Sequence, residues 1–304
     1  MVGATRRSRM SLFALVAAAG CLAAPAESDS GMSPRPTSIC AGDPGPPALD
    51  PAPWSIASLP GWSQADAVAD DLEDWLIDTA VFNHVLHGSI AAAPDGQVTL
   101  QGGDLEDATQ SCAAVVAAHR LGYPILVVLG GDRGDDFLAQ ATAQANRPVL
   151  VATLMDFIDL YGYDGVSIAW VAGVAADQLT ALVDDLSAEF RTRTPRPLLT
   201  VDVSSDTVAP SVSAGWVGRV DAINVMSYGA DWQAELGRHL DAGIPPELID
   251  LGIGLSVDDS VRADVKVKID AAIAMGLHGV ESWELGALES GDDPRLPAYA
   301  PLLR

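Results

Sequence analysis

The sequence predicts a single α/β domain with the architecture of a (β/α)₈ TIM barrel, and three observations support this. The 304 residues are too few for two large domains and suit one barrel of ordinary size. Hydrophobic residues make up 49% of the chain, enough for a sizeable core. From Trp54 onward, eight short apolar runs alternate with helical patterns. A doubly wound parallel sheet would give a similar alternation, so this pattern alone leaves both architectures open.

The predicted strands are compact apolar runs, typical of strands that are covered on both faces in a parallel sheet. In chain order they comprise residues 54–58, 82–90, 124–131, 166–171, 198–203, 222–228, 251–255 and 279–283. The first helix, residues 64–78, carries apolar residues at helical spacing and acids on its other face. Further helical segments are expected at residues 105–121, 135–161 and 176–193.

The charge balance narrows the choice of partners. Lys+Arg number 17 and Asp+Glu 41, which gives a net charge of −24. Such a chain repels nucleic acid and anionic membrane surfaces, so neither is expected as a partner.

Residues 1–26 are expected to be a signal peptide. Arg6, Arg7 and Arg9 form a basic region, and the apolar run over residues 12–19 is too short to span a bilayer. Two processing sites follow. Residues 18–21 resemble a bacterial lipoprotein box in which Cys21 would carry a lipid anchor, and residues 24–26 form an Ala-x-Ala site for ordinary signal peptidase. Either route exports the protein, lipid-anchored at the cell envelope through Cys21 or secreted.

Residues 27–53 are rich in Ser, Pro, Gly and Asp without periodicity, which predicts a disordered linker before a folded domain at 54–304. Cys40 and Cys112 are enough for one disulfide in an oxidising compartment. The histidines have no metal-ligand spacing, and no phosphate loop or Gly-x-Ser-x-Gly elbow is present. We therefore expect neither a metal nor another cofactor.

Residues 161–171 carry the most informative motif. An Asp-Gly turn precedes an apolar strand, and because side chains alternate along a strand, one face carries Ser167, Ala169 and Val171. The stretch resembles the signature strand of glycoside hydrolase family 18, the chitinase and endo-β-N-acetylglucosaminidase family, whose pattern is Asp-Gly-x-Asp-x-Asp-x-Glu. Asp164 and Gly165 match it, whereas Ser167, Ala169 and Val171 stand at the other three acidic positions. Trp170 lies on the opposite face and is expected in the core.

Four further stretches resemble strands of the same family in the same order. Residues 83–85 resemble the second strand, and residues 126–131 the third, which ends in a Gly-Gly pair. Residues 224–228 resemble its Met-x-Tyr-Asp strand, with Gly229 in place of the Asp, and residues 280–285 resemble the last strand, whose Trp forms the floor of the sugar site. The ordered set favours the barrel over the doubly wound sheet.

The resemblance implies specific roles. In this family the 2-acetamido carbonyl of the sugar attacks the anomeric carbon, and the last Glu of the pattern is the general acid. That position is Val171, which has no proton to donate. Tyr228, Trp283 and Met226 remain as candidate ligand-binding residues. The leading hypothesis is an exported chitinase-like protein without the catalytic acids, which binds glycans containing N-acetylglucosamine or serves as a scaffold, and is not an enzyme.

Two alternatives remain. Counting by twos from Trp283 places Glu281 on the same face, and Asp202 stands where the fifth strand of the family has a small apolar residue. Asp202, Glu281 and loop carboxylates such as Asp231 are therefore candidates for relocated catalytic acids. In this first alternative the protein is an active hydrolase on chitin-like or N-acetylglucosaminide substrates. In a competing interpretation, Asp202 and Glu281 form a buried polar network with Asn224, Ser167 or Tyr228. The second alternative is a protein-interaction module with a blocked barrel mouth.

Overall fold

Eight parallel strands close into a barrel. They are β1 Trp54–Pro60, β2 His84–Ala92, β3 Ile125–Gly130, β4 Gly165–Ala169, β5 Leu198–Val203, β6 Ala222–Val225, β7 Ile249–Gly254 and β8 Gly279–Trp283. Each strand pairs in parallel with the next, and β8 pairs with β1, so the sheet closes on itself. The predicted (β/α)₈ barrel is confirmed, and the doubly wound sheet is excluded.

The computed structural model describes residues 33–49, 53–66, 81–100, 103, 105, 107–131, 137–169, 175–256, 262–288 and 293–303. The predicted signal peptide with Cys21, most of the predicted first helix, and Trp170 and Val171 lie outside these residues. No helix in the described part of the chain combines the length and apolarity needed to cross a membrane.

Helices follow the strands in the order that the barrel requires. They are α1 Gly61–Asp66, α2 Ala108–Leu121, α3 Leu138–Ala141, α4 Arg147–Tyr161, α5 Ala176–Phe190, α6 Pro210–Ser213, α7 Trp232–Asp241 and α8 Arg262–Met275. The start of α2 follows from capping, because the Asp107 side chain accepts hydrogen bonds from the Thr109 and Gln110 N–H groups. Along α5, the buried residues Leu179, Leu182, Val183 and Leu186 recur at helical spacing.

Two apolar layers hold the barrel together. The larger one lies between the strands and the helices and contains most of the buried residues. The smaller one fills the barrel interior and consists of Trp54, Ile56, Leu86, Leu126, Leu198 and Ala222. The inner faces of β4 to β8 also carry polar groups, which surround the site described below.

The linker prediction is wrong for residues 33–49, which we call the N-terminal clasp. Ser33–Pro34 pairs in parallel with Arg193–Thr194. Cys40 forms a disulfide with Cys112 of α2, as the cysteine count allowed. Asp43 Oδ1 lies 2.6 Å from Nδ1 of the buried His119. The folded part of the chain therefore begins before Trp54.

Candidate functional site

A cavity of about 470 Å³ opens at the carboxyl ends of the strands. Its described lining comes from seven of the eight barrel strands or from residues shortly after those strands. The strand β7 contributes none of the described lining. Enzymes with (β/α)₈ barrels carry their active sites at this end. The cavity brings together five candidate residues from the sequence analysis, which are Asp202, Met226, Tyr228, Glu281 and Trp283. Ala169 of the signature motif also lines it.

Glu281 lies on the inner face of β8 and is only 3% exposed. Its Oε2 accepts a hydrogen bond of 3.0 Å from the Tyr228 hydroxyl, and its Oε1 accepts one from the Ser58 hydroxyl. Burial, followed by the nearby charge of Asp202, raises the pKa of Glu281 to about 8. At neutral pH this carboxyl therefore keeps its proton.

Asp202 lies on the inner face of β5. Its Oδ1 accepts hydrogen bonds from the Ser167 hydroxyl at 3.0 Å and from the Asn224 side-chain amide. The Thr200 hydroxyl donates in turn to Ser167 at 2.7 Å. Burial raises the pKa of Asp202 to about 6, although its two hydrogen bonds oppose the shift. At neutral pH Asp202 is mostly ionised beside a protonated Glu281.

The buried polar network expected for Asp202 and Glu281 is present, whereas a catalytic role for the two acids stays a prediction. They belong to a polar network with Ser167, Asn224 and Tyr228, and they also line the cavity. On β4, Ala169 presents a methyl group to the cavity. Val171, at the position of the family's general acid, lies outside the described residues.

Aromatic side chains form part of the cavity wall. Trp283, at the end of β8, is 36% exposed, and Trp62 in α1 is 40% exposed. Trp62 was missed because the predicted first helix began at Gln64, whereas α1 begins at Gly61 directly after β1. A flat apolar ring of this kind suits the face of a pyranose.

The sequence model of the family described as glycosyl hydrolases family 18 matches residues 60–293. The chain belongs to glycoside hydrolase family 18.

Solved chitinases share the fold of this family 18 protein. The Group IV chitinase of Ostrinia furnacalis, in complex with allosamidin, has a TM-score of 0.67 at 15% identity, over 83% of this chain and 98% of that chain. The family 18 chitinase of Cycas revoluta, in complex with (GlcNAc)₃, has a TM-score of 0.67 at 15% identity, over 82% and 99%. A Rhizomucor miehei chitinase gives 0.66 at 17% identity, over 81% and 99%. No curated protein matches the chain.

Asp250 is a third carboxylate inside this family 18 barrel, and the sequence analysis missed it. It is fully buried, pairs in register with Asn224, and its Oδ1 lies 3.0 Å from Nδ1 of His278. The predicted seventh strand began at Leu251, one residue too late to include it. Extending that strand and counting back by two from Gly252 would have placed Asp250 on the inner face.

Asp164, the retained acid of the signature motif, does not line the cavity. It lies just before β4, where its Oδ2 accepts hydrogen bonds of 2.9 Å from the Ile125 N–H and 3.0 Å from His119 Nε2. Its role in this family 18 protein is to tie β3, β4 and α2 together. Asp231 is exposed before α7 and is likewise absent from the cavity wall.

The described residues contain no group of His, Cys, Asp and Glu side chains able to hold a metal ion. His87 illustrates the use of the histidines in packing, because its ring nitrogens contact the Tyr163 hydroxyl at 2.7 Å and Gln64 Oε1 at 2.9 Å. Burial lowers the pKa of His87 to about 3, so it stays neutral.

Proposed function

We propose that this family 18 protein is a chitinase-like, exported carbohydrate-binding protein that recognises glycans containing N-acetylglucosamine and does not hydrolyse them. One observation carries the proposal. The cavity retains Trp283 and Tyr228, whereas β4 presents Ala169 to it where the family pattern has an Asp.

The chemistry of the family pattern supports the absence of hydrolysis. Its reaction uses a carboxylic acid to protonate the leaving oxygen, and general acid–base catalysis typically supplies a factor of about 10² to 10⁴. Val171 stands at the acid position in the sequence, and Ala169 replaces the Asp that stabilises the acetamido group. Neither side chain is able to perform those roles.

The ligands of similar structures support the choice of sugar. The Cycas revoluta chitinase is in complex with (GlcNAc)₃, and the Ostrinia furnacalis chitinase with allosamidin. The cavity of this barrel offers an indole face and hydroxyl groups, which is a suitable lining for a sugar ring.

Export is supported by the basic and apolar pattern of residues 1–26, and by the Cys40–Cys112 disulfide, which suits an oxidising compartment. Mass spectrometry of the mature protein tests the route. An acylated N-terminal Cys21 would identify a lipoprotein, a start after Ala26 a secreted protein, and an unprocessed N-terminus would contradict export by either site.

Binding is tested by calorimetric titration with oligomers of chitin and of peptidoglycan. We expect Trp283→Ala to weaken binding by about tenfold or more, because it removes a partly exposed ring that would stack on the sugar. Leu160→Ala is the control, since Leu160 is an apolar side chain at the end of α4 that is 44% exposed and absent from the cavity wall. No heat with any of these oligomers would reject the carbohydrate-binding proposal.

The second candidate is an active hydrolase with relocated acids, and the protonated Glu281 beside Tyr228 favours it. If this candidate is correct, a chromogenic N-acetylglucosaminide is cleaved and Glu281→Gln abolishes the cleavage. Absence of turnover at high protein concentration would exclude it and leave the binding protein.

A further inference from the structure

Apart from the Tyr228 phenol, the ionisable side chains in the described cavity wall are all carboxylic acids. Among the described residues, the lining contains two carboxyl groups, those of Asp202 and Glu281, and no Lys, Arg or His side chain. Because Glu281 holds a proton near neutral pH, Asp202 supplies the negative charge. A bound ligand would meet this charge without a cation from the described part of the wall to balance it.

The barrel interior around Asp202 has more hydrogen-bond acceptors than donors. Asp202 Oδ1 accepts two hydrogen bonds, whereas its Oδ2 accepts none from the described residues. Asn224 pairs in register with Asp202 on one side and with Asp250 on the other. The buried atoms Asn224 Oδ1 and Asp250 Oδ2 also lack a donor in the described part of the chain. Asn224 and Asp250 are not part of the described cavity wall, so the acceptor that a ligand in the cavity would meet directly is Asp202 Oδ2. A ligand that brings donors and a positive charge would complement this oxygen.

We propose that the cavity takes a glucosamine unit whose 2-amino group is free and protonated, with Asp202 as its counter-ion. This inference rests on the proposed carbohydrate-binding function and narrows its ligand to chitin-like glycans that are partly de-N-acetylated. An ammonium group has three donors and no acceptor. An acetamido group is uncharged and would leave Asp202 without a counter-ion.

The aromatic wall suits the same ligand. The partly exposed rings of Trp62 and Trp283 belong to the cavity that contains Asp202. An indole face attracts a cation and also stacks on a sugar ring. The net charge of −24 adds a long-range attraction for a polycationic glycan, which salt would screen.

The test compares two tetrasaccharides that differ only in acetylation, the glucosamine tetramer and the N-acetylglucosamine tetramer, by calorimetry near neutral pH. We expect the glucosamine tetramer to bind about tenfold or more tightly. Asp202→Asn retains an oxygen that accepts the hydrogen bonds from Ser167 and Asn224 but removes the charge. It should lower the affinity for the glucosamine tetramer by at least about tenfold and leave that for the acetylated tetramer unchanged.

Asp270→Asn is the matched control. It makes the same change in net charge at a side chain of α8 that is 54% exposed and pairs with Lys266 at the surface. Both tetramers should bind it as they bind the wild type. The thermal unfolding midpoint of each variant verifies that the barrel is folded.

The outcomes separate this inference from the function on which it rests. Equal or tighter binding of the acetylated tetramer, or an equal loss for both tetramers in Asp202→Asn, would overturn the glucosamine assignment and leave a carbohydrate-binding protein. An equal loss for the glucosamine tetramer in Asp270→Asn would show attraction by net charge alone and would also overturn it. Failure of both tetramers to bind would remove both proposals.

Discussion

At the scale of single residues, Glu281 shows how its surroundings set the charge of a buried acid. Ser58 and Tyr228 donate to its two oxygens, which favours the ionised form, but burial and the charge of Asp202 outweigh these contacts. Since the pKa rises from 4.5 to about 8, the folded protein binds this proton more tightly than the unfolded chain does. The stability that results is fully present below pH 4.5 and is lost as the pH rises through 8.

Glu281→Gln tests this linkage. Because Gln does not ionise, the free energy of unfolding of the variant lacks the pH dependence that Glu281 contributes in the wild type. Relative to the wild type, we expect the variant to gain on the order of 3 kcal/mol between about pH 5 and pH 8, from the 1.36 kcal/mol that each pKa unit represents. Urea denaturation across this range measures the difference.

Glu247→Gln is the control, because Glu247 is exposed in the turn before β7. The free energy of unfolding of this variant should vary with pH in the same way as that of the wild type. Parallel curves for Glu281→Gln and the wild type would show that Glu281 is already ionised at neutral pH.

Alternation along the strands was enough to place Asp202 and Glu281 on the inner face. It was not sufficient for Asp250, because the predicted strand began one residue after it. Which atoms each acid meets depends on neighbouring strands that are distant in the sequence. The Ser167–Asp202 and Ser58–Glu281 contacts, for example, join residues 35 and 223 positions apart.

At the scale of elements, local signals fixed some boundaries and missed others. The predicted strands at 198–203 and 279–283 coincide with β5 and β8. The predicted helical segment at 135–161 contains two helices, α3 and α4, within its described part. Pro148 lies in the first turn of α4, where a missing N–H costs little, and a proline there indicates a new helix start.

The N-terminal clasp was missed because the contacts that hold it to the barrel are long-range. Its Pro- and Gly-rich composition has no periodicity from which a helix or strand is predicted. It is held by the Cys40–Cys112 disulfide, by Asp43 at His119, and by Arg35, which donates to the Tyr163 carbonyl. Composition therefore failed to predict a segment whose order depends on its contacts with the barrel.

Replacing both Cys40 and Cys112 with Ser tests the contribution of the clasp. The bond joins residues 72 positions apart, so its loss frees a long loop in the unfolded chain. We expect a loss of about 2 to 4 kcal/mol in the free energy of unfolding, measured by chemical denaturation.

The control is the wild-type protein with its disulfide reduced, which should unfold at the same denaturant concentration as the double variant. If the oxidised wild type and the double variant unfold at equal concentrations, the disulfide does not stabilise the barrel.

At the scale of the whole molecule, the alternation of strands and helices in the sequence does not establish that the sheet closes into a barrel. Alternating strands and helices fit an open sheet equally well, and only the ordered family motifs favoured a barrel. In the structure, closure depends on the pairing of β8 with β1, where Gly279 pairs with Trp54. A Cβ atom on Gly279 would lie 2.0 Å from the Trp54 carbonyl oxygen and 2.7 Å from Asp250 Oδ1. The lack of a side chain at residue 279 therefore allows the first and last strands to meet.

Gly279→Ala should accordingly destabilise the protein by about 1 to 3 kcal/mol or more, because the Trp54 backbone and the buried Asp250 side chain would have to move. Gly237→Ala makes the same chemical change inside α7, where the added methyl group meets open space. There the reduced entropy of the unfolded chain should stabilise the protein by about 0.5 to 1 kcal/mol. Urea unfolding midpoints of the two variants should therefore move in opposite directions. If both midpoints move to higher urea concentration, the contact between β8 and β1 tolerates a side chain, and closure is maintained by the packing of the other strands and helices. If both move to lower concentration, the stabilisation expected for Gly237→Ala is wrong and the claim about Gly279 stands.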